Sequence, residues 1–90
     1  MLEWSVKELA DIFDMAASTV RGWVCDGKLH AVKYSNRDGL RISARDLFEF
    51  FETKPELKDI FIKKLATNGT IGGKDSHTVL QYLLKVGLIK

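Results

Sequence analysis

The chain has 90 residues, is 46% hydrophobic and 29% charged, and carries a formal net charge of only +2. That length makes one domain, or one small domain with an appendage, and that composition is folded rather than disordered; a core of this size suits a few helices around aromatic anchors better than an enclosed catalytic cavity. No apolar run is long enough to span a bilayer, no charged-then-apolar leader opens the sequence, and one cysteine leaves no internal disulfide and fits a reducing, cytoplasmic compartment.

The distribution of charge is more informative than its sum. Acids dominate residues 1–16, with four against one cation. Residues 17–45 hold six cations against two acids, 46–59 two against five, and 60–90 five against one. Positive charge therefore gathers on 17–45 and again at the C-terminal end, in bands of a kind that can meet phosphate.

The first helix is predicted to start at Ser5. Its hydroxyl can cap the first turn while Glu8, three residues on, reaches back to form a capping box, and Trp4 and Leu9 occupy the two positions of a hydrophobic staple. Val6, Leu9, Ala10 and Phe13 then recur at helical spacing and give one face to bury. A tight turn over 14–16 leads into a second helix over 17–26 that stops at Gly27. At 100° per residue Val20, Trp23 and Val24 share the inward face, and Ser18, Arg21, Gly22 and Cys25 the outward one. An outward face of small and hydrogen-bonding groups with one arginine suits close approach to base edges in a major groove.

Residues 29–35 and 40–42 form two alternating runs around an Asn/Asp/Gly turn, which predicts a β-hairpin. Val32, Tyr34, Leu40 and Ile42 are expected to pack inward, with Lys33 and Arg41 outward and Arg37 at the tip, as on a basic wing. Ser43 to Asp46 is a second cap-like start, and Leu47, Phe48, Phe50 and Phe51 mark the helix after it as core. Pro55 suits the first position of a further helix, which carries Leu57, Ile60, Phe61, Lys64 and Leu65 and stops near Asn68 and Gly69. Residues 70–74, rich in glycine, read as a flexible loop. Asp75 or Ser76 can cap a last helix ending at Gly87, with an apolar tail behind it. Its Leu80, Leu83 and Leu84, with Leu88 and Ile89, are available for packing or self-association.

Catalytic signatures are missing. His30 and His77 are far apart, Cys25 has no paired cysteine, no nucleophile motif is present, and Gly72-Gly73-Lys74 lacks the earlier glycine and following Ser/Thr of a phosphate loop. The expectation is a binding protein, not an enzyme, with no cofactor and no metal.

The segments SVKELADIF, STVRGWV and DGKLHAV, a basic wing, RIS and an aromatic-ended helix together resemble the excisionase-type branch of the MerR-like winged helix-turn-helix DNA-binding domains. KELADIF with a Trp-bearing second helix is also similar to the N-terminal domain of phage small terminase subunits. The likeness covers roughly the first half of the chain. It implies a mainly α fold with a small β-hairpin wing, residues 1–53 forming the winged helix-turn-helix and 54–90 a C-terminal helical extension. It further implies duplex DNA as partner, with Ser18, Thr19, Arg21 and Gly22 toward the major groove, Arg37 and Arg41 on the wing, and Lys28 and Lys33 on phosphate. Relatives of this type are architectural factors of phages and mobile elements that act beside an integrase. A stand-alone transcriptional regulator and a terminase-like assembly subunit are the alternatives. Ala16 stands where such domains often carry a Ser or Thr cap, and Gly22 and Cys25 where they are often basic, so single-copy binding is expected to be modest.

Overall fold

Ser5 decides where the first helix begins. In the computed structural model, which describes residues 2–34 and 39–90, its side chain accepts the Glu8 amide at 3.1 Å while Glu8 Oε1 accepts the Ser5 amide at 2.8 Å, the reciprocal capping box. Helix α1 (Val6–Phe13) buries Val6, Leu9, Ala10, Ile12 and Phe13. It ends at Asp14, which takes left-handed backbone angles (φ 53°, ψ 48°). Helix α2 (Ala17–Cys25) follows after a two-residue remainder of turn, and Ala16 gives it no side-chain cap. Beyond its C-cap Asp26, Gly27 (φ 77°) allows the Lys28 amide to reach the Trp23 carbonyl at 2.9 Å and its own amide the Val24 carbonyl at 3.1 Å, a Schellman closure.

Three short strands come next to one another although one of them precedes α1. Strands β1 (Glu3–Ser5), β2 (Val32–Lys33) and β3 (Leu40–Ser43) form an antiparallel sheet in the order β1-β3-β2. Trp4 pairs with Ile42, and both are fully buried. Strand β1 was not expected; three residues ahead of a strong cap give too short an alternation to read.

Helix α3 (Ala44–Phe50) starts on Ser43, whose hydroxyl accepts the Asp46 amide at 3.1 Å. Helix α4 (Pro55–Thr67) has proline in its first turn, where the missing N–H costs no helical bond. The glycine-rich stretch expected as a loop is instead a hairpin of strands β4 (Thr70–Ile71) and β5 (Lys74–Asp75). Gly72 (φ 58°) and Gly73 (φ 79°) both have the positive φ that a type I′ turn requires, so the glycines fix this segment. Helix α5 (Ser76–Lys85) is capped by Asp75 and closed by a second Schellman turn at Gly87. Leu88 and Ile89 fold back and pack partly against the core.

One hydrophobic cluster joins all five helices and runs across residues 53 and 54. Phe61 of α4 is its hub, meeting Trp4 edge-on at a centroid distance of 5.6 Å, Phe48 at 5.5 Å and Phe51 at 5.7 Å. Such a mainly helical chain with a small wing and C-terminal helices is the expected fold class. Among the described residues no helix is long and apolar enough to cross a membrane.

Candidate nucleic-acid interface

Helix α2 is fastened from one side. Val20 is fully buried, Trp23 and Val24 pack partly against the core, and the Trp23 ring lies 5.0 Å from that of Phe50. Lys54, at the start of α4, holds its ammonium 6.0 Å from the Trp23 ring centre. The other side of α2 is open. Ser18, Thr19, Arg21 and Cys25 are exposed, and a Cβ added at half-buried Gly22 would meet nothing within 4 Å. Gly22 therefore has no internal packing reason to lack a side chain, while glycine inside a helix costs roughly 1 kcal/mol relative to alanine. The Schellman closure then sends exposed Lys28 outward from the end of the same helix.

On the wing, the expected facing of the residues is corrected by the register. Val32 pairs with Arg41 and Lys33 with Leu40, and the Tyr34 amide donates to the Gly39 carbonyl at 2.7 Å. Directly opposed residues share a face, so Arg41 lies with Val32 and Ser5, whereas Lys33 lies on the side of Leu40 and Ile42. A shift of one residue from the expected pairing inverts every side chain of β2. Consequently Val32 (44% exposed) and Tyr34 (62% exposed), expected inside, are surface residues. Lys33 is exposed at the edge of the sheet, and Lys33 and Arg41 do not share a face. Arg37 lies outside the described residues.

Arg41 differs from the exposed Arg21, Lys28 and Lys33. It is half-buried and its Nη1 donates to the Leu40 carbonyl at 3.5 Å. The Tyr34 hydroxyl donates to Glu3 Oε2 at 3.2 Å, which spans the outer face of the sheet. The phenol is raised above its ordinary value by that bond and by the charge of Glu3, and the nearby Arg41 charge opposes the shift. Tyr34, Val32 and Glu3 thus border Arg41 on the wing, and alternation alone had assigned two of them to the core.

Ser18, Thr19, Arg21, Gly22 and Lys28 are brought together on one helix and its exit, and Lys33 and Arg41 stand on the sheet that follows. Such a set can approach a groove with short side chains and offer cations to phosphates. Among the described residues no group of three or more His, Cys, Asp or Glu is placed to hold a metal ion. The cysteine at the end of α2 is free and exposed.

The family model described as a helix-turn-helix domain matches residues 5–55, more than half of the chain and the stretch from the α1 cap to the start of α4. No curated protein and no solved structure matches the chain. The order of α1, turn, α2 and sheet agrees with that match, which supports DNA binding. The chain belongs to the helix-turn-helix domain family.

Proposed function

We propose that the protein is a double-stranded DNA-binding architectural factor of a phage or mobile element, excisionase-like, which steers site-specific recombination. The observation that carries this reading is the outward face of α2, where Ser18, Thr19 and Arg21 are exposed and Gly22 opens onto empty space. In this reading α2 enters the major groove, with Ser18, Thr19, Arg21 and Gly22 against base edges. Lys28 and Lys33 contact phosphate, and Arg37 and Arg41 extend the contact from the wing. Residues 1–53 read the DNA, while 54–90 support that unit and face the element's integrase or a second copy. Of the residues available for self-association, Leu83 is buried and Leu80, Leu88 and Ile89 pack partly against the core, so Leu84, 43% exposed, is the most available. The compartment is the cytoplasm.

Four cations on phosphate, Lys28, Lys33, Arg37 and Arg41, give a logarithmic salt slope of roughly −4 on duplex DNA. That is a modest electrostatic share, so cooperative binding along the DNA is part of the proposal. Selection of bound sequences from random duplexes tests it, followed by gel shifts of the Arg21→Ala/Arg37→Ala double variant. The expected result is an enriched site, bound in neighbouring copies and lost in the double variant. Unchanged binding by that variant would sink the reading. Repression of a reporter without effect on recombination would favour a transcriptional regulator, and ring-sized particles a terminase-like subunit.

A further inference from the structure

The turn between α1 and α2 is held from outside the family-matched segment. Asp14 adopts a left-handed conformation that side chains rarely take. Its amide reaches the Asp11 carbonyl at 3.4 Å and the Met15 amide the Ala10 carbonyl at 3.0 Å. That closure uses two of the free carbonyls at the end of α1 and leaves Ile12 among the rest. Lys64, in the last turn of α4, supplies the missing donor. Its Nζ donates to the Ile12 carbonyl and lies 3.1 Å from Asp14 Oδ2. Asp14 is 84% exposed, so the ion pair alone contributes little. The carbonyl contact is the part-buried one, and it sets a cation at the negative end of the α1 dipole.

The β4–β5 hairpin holds the same flank of α1. The Trp4 indole donates to the Ile71 carbonyl at 3.3 Å, and Gly72 comes so close that an added Cβ would lie 2.9 Å from Ile12 Cδ1. Helix α2, by contrast, begins without a side-chain cap and has one buried side chain, Val20. Its angle therefore depends strongly on the turn that delivers it.

We infer that Lys64 is a positioning residue for DNA reading: it touches no DNA, and it sets the angle of α2 by clamping the end of α1. The inference rests on the proposed role of α2 and deepens it. A clamp of this kind changes discrimination between sequences more than general attraction to phosphate, because base contacts need the angle and charge does not.

The test compares binding to a selected duplex and to an unrelated one, together with amide exchange in the free protein. Lys64→Met keeps the aliphatic stem and removes the donor. It is expected to weaken binding to the selected duplex about tenfold, the size of one mis-set base contact, and to change the unrelated duplex less than about twofold. Exchange at the Met15 and Thr19 amides should quicken, while α5 amides stay as they are. Lys64→Arg should restore most of the discrimination, and Asp14→Asn, which leaves the carbonyl contact, should cost less than Lys64→Met. Equal discrimination in Lys64→Met and wild type overturns the inference, whether or not exchange changes. A wild-type protein that selects no duplex fails earlier, and it is the DNA-reading proposal that then falls, taking this one with it.

Discussion

Gly72 has the least room of the six glycines compared, Gly22, Gly27, Gly69, Gly72, Gly73 and Gly87. A methyl group there would lie 2.5 Å from Trp4 Cδ1 and 2.7 Å from Trp4 Nε1, on a backbone at φ 58°. Gly73 has a similar backbone, φ 79°, but its added Cβ would meet only Glu8 Oε2 at 3.5 Å. Gly72→Ala should therefore lose roughly 3 kcal/mol through strain and overpacking together, and Gly73→Ala about 1 kcal/mol through backbone strain alone. Thermal or denaturant unfolding checks the difference. Gly22 is the opposite case, since its position is open and helical. Gly22→Ala should gain up to about 1 kcal/mol in stability, yet weaken DNA binding if the backbone of α2 approaches the bases. Greater stability with undiminished binding would remove Gly22 from the interface. At Asp75, the Thr78 amide and then the Thr78 hydroxyl hold the carboxyl below its ordinary range. A depressed carboxylate contributes stability that is complete above its unfolded value of 3.8 and is lost as pH falls through the lower folded value. The α5 cap should thus weaken only in strong acid. Asp75→Asn keeps an accepting oxygen and should flatten that acid limb in an unfolding series from pH 6 to pH 2.5.

Among the elements, those whose cause is local were legible in the sequence. Ser5 with Glu8, Pro55, Asp75 and Gly87 start or stop helices through residues at most a few positions away, and each does so in the structure. The wing was legible as a hairpin but not in its register. Strand β2 has only two residues, and the pairing of Val32 with Arg41 is set by how the turn closes at Tyr34 and Gly39. No alternation within two residues can reveal that. The consequence bears directly on the proposed interface, because it separates Lys33 from Arg41. Lys33→Ala should lower the salt slope of DNA binding by about one without changing stability, as loss of a single phosphate contact does. Arg41→Ala should change both affinity and stability, since that side chain is half-buried in the wing. Equal behaviour of the two variants would argue against the observed register. The hairpin over residues 70–75 was missed for a related reason: its strands are two residues each, and only Gly72-Gly73 marked it.

The whole molecule is knit together by contacts far apart in sequence. Trp4 meets Phe61, and its indole bonds the Ile71 carbonyl 67 positions away. Lys64 reaches back 52 positions to Ile12. Neither partner could be named from sequence spacing, so residues 54–90 read only as a helical extension available for packing or self-association. In the fold it covers Trp4 and closes the cluster that also seats α3. A fragment ending at residue 53 would expose Trp4, Phe48 and Phe51 to water, and should lack the dispersed amide resonances of a folded domain. The proposed site was more legible than its support, because an exposed helix face follows from helical period alone. Of the proposed residues, Ser18, Arg21 and Gly22 were assigned by that period and Thr19 by the family resemblance; Ser18, Thr19 and Arg21 are exposed and Gly22 opens onto empty space.

Binding of duplex DNA by α2 and the wing is the proposal on which the other binding predictions rest. Titration of isotope-labelled protein with a selected duplex, followed by amide chemical shifts, tests it most directly. The largest changes are expected at Ser18, Thr19, Arg21, Gly22, Lys28 and Lys33, with α4 little affected. Changes confined to α4 and α5, or no change at stoichiometric duplex, would contradict it.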